Sequence, residues 1–265
     1  MHGKPAFPEN FFDCLKKLEF DGASKRDIVI PSHVLPYLKT LEELNVHNSD
    51  AVQIIFDMDH SDDASTKGIV LPLKKLTLKD LSNLKCVWNK TPRGILCFPN
   101  LQDVDVQACE NLETLFPLSL ARNLGKLKTL EIQFCHKLVE IVGKEDVTEH
   151  VTTEMFEFPS LRKLLLHKLS IISCFYPGKH HLECPLLETM LVSYCPKLKL
   201  FTSEFHNNHK EAVTEAPISR LQQQPLFSVD KVTKHYQLNF LCFLFLLISY
   251  YIFLILTTTV HFPPF

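Results

Sequence analysis

The chain has 265 residues, of which 46% are hydrophobic and 22% charged, so it is long enough for one large or two ordinary globular domains. A formal net charge of −2 argues against a general nucleic-acid binder, which needs excess positive charge to contact phosphates. Only 7 residues are glycine, which disfavours a glycine-rich phosphate loop. Leucine is over-represented, and this favours a search for internal repeats.

A pattern of apolar residues, L-x-x-L-x-L, recurs seven times. The first residues of these triplets, taken as position 0 of each repeat, are separated by 26, 32, 28, 26, 34 and 26 residues. Leucine-rich repeats are about 20–29 residues long, so the longer spacings indicate a repeat with an insertion. The triplets are Leu15, Leu18 and Phe20; Leu41, Leu44 and Val46; Leu73, Leu76 and Leu78; Leu101, Val104 and Val106; Leu127, Leu130 and Ile132; Leu161, Leu164 and Leu166; Leu187, Met190 and Val192.

The agreement extends past the triplets to positions 8, 11 and 14, which are apolar in most repeats. The first repeat is the poorest, with Arg26 at position 11. Three repeats also have proline two residues before the triplet, where a strand is expected to begin. These residues are Cys109, Leu112 and Leu115; Cys135, Leu138 and Ile141; Cys195, Leu198 and Phe201; Leu81, Leu84 and Val87; Leu169, Ile172 and Phe175; and the prolines Pro99, Pro159 and Pro185.

Alternate residues of a strand point to the same side, so each triplet predicts a short strand with its apolar side chains turned inward. No repeat can bury its apolar face alone, and neighbouring repeats therefore stack. The sequence predicts an α/β solenoid over residues 1–232, a curved horseshoe of about seven leucine-rich repeats. A parallel sheet is expected on its concave face, with irregular or short helical segments on its convex face. The cysteines at position 8 are expected to be small buried residues.

Three segments carry the resemblance to a known family: FPNLQDVDVQACENLETLF (98–116), LGKLKTLEIQFCHKLVEIV (124–142) and CPLLETMLVSYCPKLKLF (184–201). They resemble the leucine-rich repeats of plant nucleotide-binding disease resistance proteins of the coiled-coil class. Residues 223–232 resemble the lead-in to a further repeat. The phosphate-binding motif G-x-x-x-x-G-K-[ST] of such receptors has no match here, so the chain is interpreted as a fragment or truncated relative.

The resemblance implies a non-catalytic module that senses a ligand or makes autoinhibitory contacts in plant defence. The implied partner is a protein: a pathogen effector, a guarded host protein or another domain of an immune receptor. Candidate contacts are the outward residues of the predicted strands, with Leu165 and Leu191 favoured because exposed aliphatic residues are typical of protein contacts. The full set is Glu42, Glu43, Asn45, Lys74, Lys75, Thr77, Gln102, Asp103, Asp105, Lys128, Thr129, Glu131, Arg162, Lys163, Leu165, Glu188, Thr189 and Leu191.

Other candidate sites are weaker. Residues 57–67 are acidic, but an EF-hand loop beginning at Asp57 would need glycine where Asp62 stands, so a solvated insertion is favoured. The acidic stretch 143–157 is likewise interpreted as a loop. His180, His181, Cys184 and Cys174 match no standard zinc spacing. Asn89 begins a formal glycosylation sequon, interpreted as a chance match. We therefore expect no metal, cofactor or catalytic residue, and an enzyme is the least favoured class.

The tail, residues 233–265, differs in kind. Residues 238–256 are almost uninterruptedly apolar and, as a helix, would span about 28 Å, close to the hydrocarbon thickness of a bilayer. Two interpretations stay open: a membrane anchor with the repeats in the cytoplasm, or a non-native translated segment. The alternative function is thus a tail-anchored protein with the repeats as a cytoplasmic scaffold. The nine scattered cysteines and the absence of an apolar signal sequence favour a cytoplasmic location.

Overall fold

Seven parallel strands of one sheet carry the seven triplets. The computed structural model describes residues 12–22, 25–58, 69–89, 96–144, 154–178 and 180–198. In chain order the strands are β1 (Lys17–Asp21), β2 (Ile28–Ile30), β3 (Glu43–His47), β4 (Ile54–Phe56), β5 (Ile69–Val70), β6 (Lys75–Lys79), β7 (Cys86–Trp88), β8 (Leu96–Cys97), β9 (Asp103–Gln107), β10 (Thr114–Pro117), β11 (Thr129–Gln133), β12 (Glu140–Gly143), β13 (Glu154–Glu157), β14 (Lys163–His167), β15 (His180–Glu183) and β16 (Thr189–Ser193).

The main sheet has the order β1-β3-β6-β9-β11-β14-β16, and each of its strands covers repeat positions 2 to 6. Equivalent positions are paired throughout: Leu130, for example, is in register with Val104 on one side and Leu164 on the other. One coil therefore adds one strand, and the predicted parallel sheet of seven repeats is confirmed. This regular stacking is what gives leucine-rich repeats a continuous core.

The triplets form that core. In the five inner repeats every triplet residue is at most 3% exposed, which for each leucine stabilises the fold by about 1.5–3 kcal/mol. The triplets of β1 and β16 are less buried: Leu15, Leu18 and Phe20 are half-buried, as are Met190 and Val192. The reason is positional, because among the described strands β1 and β16 each pair with one neighbour, whereas the inner strands pair with two.

The opposite side of the coils differs from the prediction. Instead of irregular or helical segments, repeat positions 13 to 16 form short parallel ladders, β2-β4-β7 and β10-β12. These positions hold sequences such as IVI, IIF and CVW, and β-branched and aromatic residues fit a half-buried strand. The helical segments of the described residues are a 3-10 turn, Leu35–Tyr37, and α1 (Leu118–Ala121).

A third set of short strands precedes the triplets. It comprises the pairs β5-β8 and β13-β15. Pro99, Pro159 and Pro185 lie between these strands and the main sheet, in turns closed by the hydrogen bond from the residue at position 0 to the carbonyl three residues earlier (3.2, 3.1 and 3.1 Å). The prediction that these prolines begin the strand was therefore wrong by a few residues. Proline fits the second position of such a turn because its φ is already fixed there.

Aromatic rings fill the space behind the third and fourth repeats. Phe56 stacks on Trp88 with ring centroids 5.9 Å apart, and both rings contact Phe98. Phe116 continues the cluster from the next coil, 5.7 Å from Trp88. All four residues are buried. Aromatic pairs of this kind contribute about 0.5–1.5 kcal/mol each beyond their buried area.

Six of the seven main strands are followed directly by a residue in the left-handed conformation. Asn48, Asp80, Ala108, Phe134, Lys168 and Tyr194 all have φ between 51° and 56°, and all stand at repeat position 7. Non-glycine residues adopt this conformation at a cost of about 1–2 kcal/mol. In five of the six coils the N–H of this residue donates to a carbonyl of the following coil, as in Ala108 to Gln133 (3.0 Å). The stacking of the coils thus holds the strained turn in place.

The chain divides into Met1–Phe227 and Ser228–Phe265, and all described residues belong to the first unit. Among the described residues there is no helix of the length and hydropathy needed to cross a membrane. The segments 59–68, 145–153, 223–232 and 238–256 lie outside the described residues, so the boundary at 232 and both interpretations of the tail stay predictions. One expectation is corrected: residues 154–157, interpreted as part of a loop, form β13.

Candidate protein-interaction surface

The outer face of the main sheet, formed by repeat positions 1, 2, 4, 6 and 7, contains all eighteen candidate contact residues. The structure brings them onto one surface. Six are exposed: Lys74, Lys75, Lys128, Arg162, Glu188 and Thr189. Twelve are half-buried: Glu42, Glu43, Asn45, Thr77, Gln102, Asp103, Asp105, Thr129, Glu131, Lys163, Leu165 and Leu191.

Full exposure was expected for these side chains, and the difference has a simple origin. Equivalent residues of neighbouring parallel strands stand about 4.8 Å apart, so each side chain covers part of the next. Leu165 and Leu191 show this directly, because they are in register on β14 and β16 and both are half-buried.

Many charges on the outer face are paired between coils. Lys74 Nζ lies 2.7 Å from Glu42 Oε2, Lys79 Nζ lies 2.7 Å from Asp105 Oδ2, and Lys163 Nζ lies 2.7 Å from Glu131 Oε1. Arg162 pairs with Glu188 in the same manner. Exposed pairs of this type contribute about 0–1 kcal/mol each, so their main effect is on the surface potential rather than on stability.

Contacts of this kind lower the pKa of two carboxyl groups. The hydrogen bond from Lys74 lowers the pKa of Glu42. The pKa of Glu19 on β1 is lowered by hydrogen bonds from Lys17 and from His47. Both carboxylates therefore stay ionised at neutral pH, and each is paired with a lysine on the outer face.

Sequence reasoning missed a row of rings at the other end of the face. Phe134 and His167 are 5.3 Å apart between ring centroids, and His167 and Tyr194 are 5.5 Å apart, each pair edge to face. We call Phe134, His167 and Tyr194 the ring row. Tyr194 is 72% exposed. For His167 the signal was available, since strand alternation makes position 6 face outward as positions 2 and 4 do. Phe134 and Tyr194 stand at position 7, after the strand, where alternation no longer indicates the direction of a side chain.

Local contacts fix the ring row in place. His167 Nδ1 and Ser193 Oγ are 2.7 Å apart, across β14 and β16. Lys168 Nζ lies 5.0 Å from the centroid of Phe134, a cation–π contact. Burial lowers the pKa of His167, with a smaller contribution from the charge of Lys168. The imidazole is therefore neutral at pH 7, and the row presents apolar ring edges.

The weaker candidate sites have structural roles. Burial raises the pKa of Cys184 to about 12, so this thiol stays protonated, and it occupies the packing position that Phe98 and Phe158 fill in other repeats. His180 is buried among aromatic rings. Within the described residues, no group of three or more His, Cys, Asp or Glu is arranged to hold a metal ion.

The asparagine of the sequon is also used by the fold. Asn89 Oδ1 accepts a hydrogen bond from the backbone N–H of Met58 (2.6 Å), and Asn89 Nδ2 donates to Asp57 Oδ1 (2.6 Å). Both ends of the amide are thus engaged with the neighbouring coil. Asp57, the first residue of the acidic segment considered for calcium, is held by this same contact.

Comparison with known proteins agrees with the geometry. Residues 1–136, just over half of the chain, match the family model described as "Plant disease resistance protein RPS2-like, leucine-rich repeats". The chain belongs to this family. The matched part contains the triplets of the first five repeats, and the structure continues the same register through β14 and β16. The resemblance to the repeats of plant disease resistance proteins is confirmed.

Two relatives of this leucine-rich-repeat chain come from Arabidopsis thaliana. "Probable disease resistance protein At1g61190" is 30% identical over 124 residues, which is 44% of this chain and 12% of the relative. "Disease resistance protein UNI" is 31% identical over 125 residues, which is 44% of this chain and 13% of the relative. The matched region thus spans about an eighth of each relative. No solved structure gives a significant match.

Proposed function

We propose that this leucine-rich-repeat chain is a non-catalytic protein-interaction module of plant defence, and that the outer face of its main sheet is the contact surface. The observation that carries the proposal is the register of the seven strands. It aligns the outward positions 2, 4 and 6 of each coil into continuous rows, so a partner can contact side chains from many coils at once.

The composition of the outer face supports binding rather than chemistry. The rows contain paired charges, amides, two in-register leucines and the ring row. The partner is a protein: a pathogen effector, a guarded host protein or another domain of an immune receptor. Membership of the disease resistance family supports this choice. The cytoplasm is the proposed location, as the scattered cysteines suggest.

Site-specific photo-cross-linking of the full chain in plant cells tests this function. A benzophenone amino acid is placed at Lys75 or Thr189, both exposed on the outer face, or at Lys85 or Glu113, both exposed at repeat position 12 on the back of the coils. We expect a discrete protein adduct from Lys75, Thr189 or both, and none from the two back positions. Equal adducts from both sides, or adducts from the back alone, would overturn the assignment of the contact surface.

A further inference from the structure

We propose that the C-terminal end of the outer face binds an acidic protein segment that inserts a bulky apolar side chain. This inference rests on the proposed function and names the chemistry of the partner. The site, called the apolar end, consists of Leu165, Leu191 and the ring row, together with the amine of Lys168.

The apolar contribution is local to the last strands. At repeat position 4 the rows run Glu19, Asn45, Thr77, Asp105 and Glu131 before they reach Leu165 and Leu191. Two aliphatic residues in register therefore lie beside three rings, one of which belongs to a tyrosine that is 72% exposed. Aromatic residues are enriched in the energetically dominant part of protein interfaces, with tyrosine among the most frequent. These side chains give an apolar side chain of a partner a surface to pack against.

The net charge of the same strands indicates the sign of the charge that the partner carries. On the outer face of β11, β14 and β16, four cations (Lys128, Arg162, Lys163 and Lys168) stand against two anions (Glu131 and Glu188), an excess of +2. Both anions are already paired, Glu131 with Lys163 and Glu188 with Arg162. Lys128 Nζ donates to the neutral amide of Gln102 at 2.8 Å, and Lys168 lies over Phe134. Two positive charges are thus not neutralised by these contacts.

The rest of the face does not share this excess. On β1, β3 and β6, and in the residues directly before and after them, five cations balance five anions. These residues are Lys16, Lys17, Lys74, Lys75 and Lys79 against Glu19, Asp21, Glu42, Glu43 and Asp80. On β9, Asp103 and Asp105 repel an acidic partner. Within the described part of the face, the positive excess and the apolar residues therefore coincide at β11, β14 and β16, and this places the site there.

A designed peptide serves as the probe. It is a fluorescein-labelled dodecapeptide with one tryptophan and one leucine among six glutamates and four serines. One control peptide has lysine in place of glutamate, and a second has serine in place of tryptophan and leucine. Fluorescence anisotropy with the full chain is measured at low and at moderate salt. We expect the first peptide to bind about tenfold more tightly than either control, and added salt to weaken it.

Variants locate the site. Tyr194→Ala and Lys168→Glu should each weaken binding of the acidic peptide about tenfold, whereas Tyr194→Phe should retain it, because the ring rather than the hydroxyl supplies the contact. Tyr37→Ala and Lys85→Glu are matched controls away from the outer face and should change binding less than about twofold. Circular dichroism confirms that each variant is folded. Equal binding of the lysine peptide, no saturable binding, or an equal loss in the controls would overturn the proposal.

Cross-linking tests whether a second copy of the chain, or another part of the same chain, covers the site. A benzophenone amino acid at position 194 should give no chain dimer and no adduct within the same chain to residues 199–265. Either product would show that the site is covered by a second copy or by the chain itself, and would overturn the proposal. If Lys75 gives a specific adduct while the acidic peptide fails to bind, the proposed function stands and only this inference fails.

Discussion

Arg122 binds both carboxylate oxygens of Glu154. Arg122 Nη2 lies 2.8 Å from Oε1 and 2.7 Å from Oε2, and Nε lies 3.0 Å from Oε2. The contact joins the residue that ends α1 to the first residue of β13, on the following coil. The side chain of Glu154 is 11% exposed, so the contact is largely shielded from water on the side of the carboxylate. A planar two-point contact of this kind is stronger than a single hydrogen bond.

Replacement of Arg122 by alanine should lower the free energy of unfolding by about 1–3 kcal/mol, because it removes a two-point, charge-assisted contact to a largely buried carboxylate. Arg162→Ala is the control, since Arg162 and Glu188 are both more than half exposed, and its effect should stay below about 1 kcal/mol. Urea denaturation followed by circular dichroism measures both. An equal loss in the two variants would show that burial of Glu154 does not matter.

Ala108→Gly should stabilise the chain by up to about 1 kcal/mol. Ala108 has φ of 51°, which glycine adopts without strain, although glycine also gains entropy in the unfolded chain. Ala51→Gly is the matched control: Ala51 is also half-buried, but it is not among the described residues with positive φ, so this change should destabilise. Thermal denaturation compares them. A destabilising effect at both positions would contradict the account of strain at repeat position 7.

The burial of His180 predicts that the stability of the fold depends on pH. Its ring lies 6.0 Å from Phe156 and from Phe175 and 5.9 Å from Tyr176, and this burial lowers its pKa from the ordinary value of about 6.5. The unfolded chain therefore binds a proton at a higher pH than the folded chain does. The contribution of His180 to stability is complete above about pH 6.5 and is lost as pH falls through its folded-state pKa.

Denaturation at about pH 7.5 and pH 5 checks this. His180→Phe, which keeps a ring in the aromatic cluster, should show a smaller loss of stability on acidification than the unmodified chain. The titratable groups nearest to His180 on its own and the paired strand, His181, Glu183 and Glu154, stay unchanged in the variant. His33→Gln, at an exposed position, serves as the control and should keep the full pH dependence. The same slope in His180→Phe would rule out His180 as its source.

Leu130→Ala should cost about 2–5 kcal/mol, the usual range for a buried leucine. Leu130 is 2% exposed and in register with Val104 and Leu164. Because each coil contacts mainly its neighbours, the loss should be local. Hydrogen exchange should rise mainly across 101–175, with little change at β1 and β3. A uniform loss of protection from end to end would contradict this picture.

The sequence predicted the main sheet because its signal is repeated seven times and each triplet is buried for the same reason. It did not predict the short ladders on the back of the coils. A three-residue run such as Cys86–Trp88 is too short to show a periodicity in the sequence. It forms a strand because β4 of the previous coil offers it a pairing partner, with Phe56 in register with Trp88. Such strands are a consequence of stacking rather than of local preference.

The candidate surface was predicted in outline for the same reason. Alternation along a strand identifies which residues face outward, so the rows could be named. Which side chains contact one another along a row depends on which residues of different coils become neighbours when the coils stack. His167 is 33 residues from Phe134 and 27 residues from Tyr194 in the chain, and the stacking of three coils places the rings side by side. The same holds for Arg122 and Glu154, separated by 32 residues.

The two longest repeats carry their extra residues in one part of the coil. In each of them the described residues cover repeat positions 0 to 17 and resume at Ile69 or Glu154, before the turn that precedes the next triplet, so the additional residues lie between these points. Repeat positions 0 to 16 keep a constant length, and β3 to β6 and β11 to β14 are in the same register as the other pairs. The number of residues between the short back strand of one coil and the triplet of the next is therefore uncoupled from the spacing of the contact rows. An epitope or a small tag inserted at residue 63 or 149 would be expected to leave the outer face intact, which makes these two places natural attachment points for labels in binding experiments.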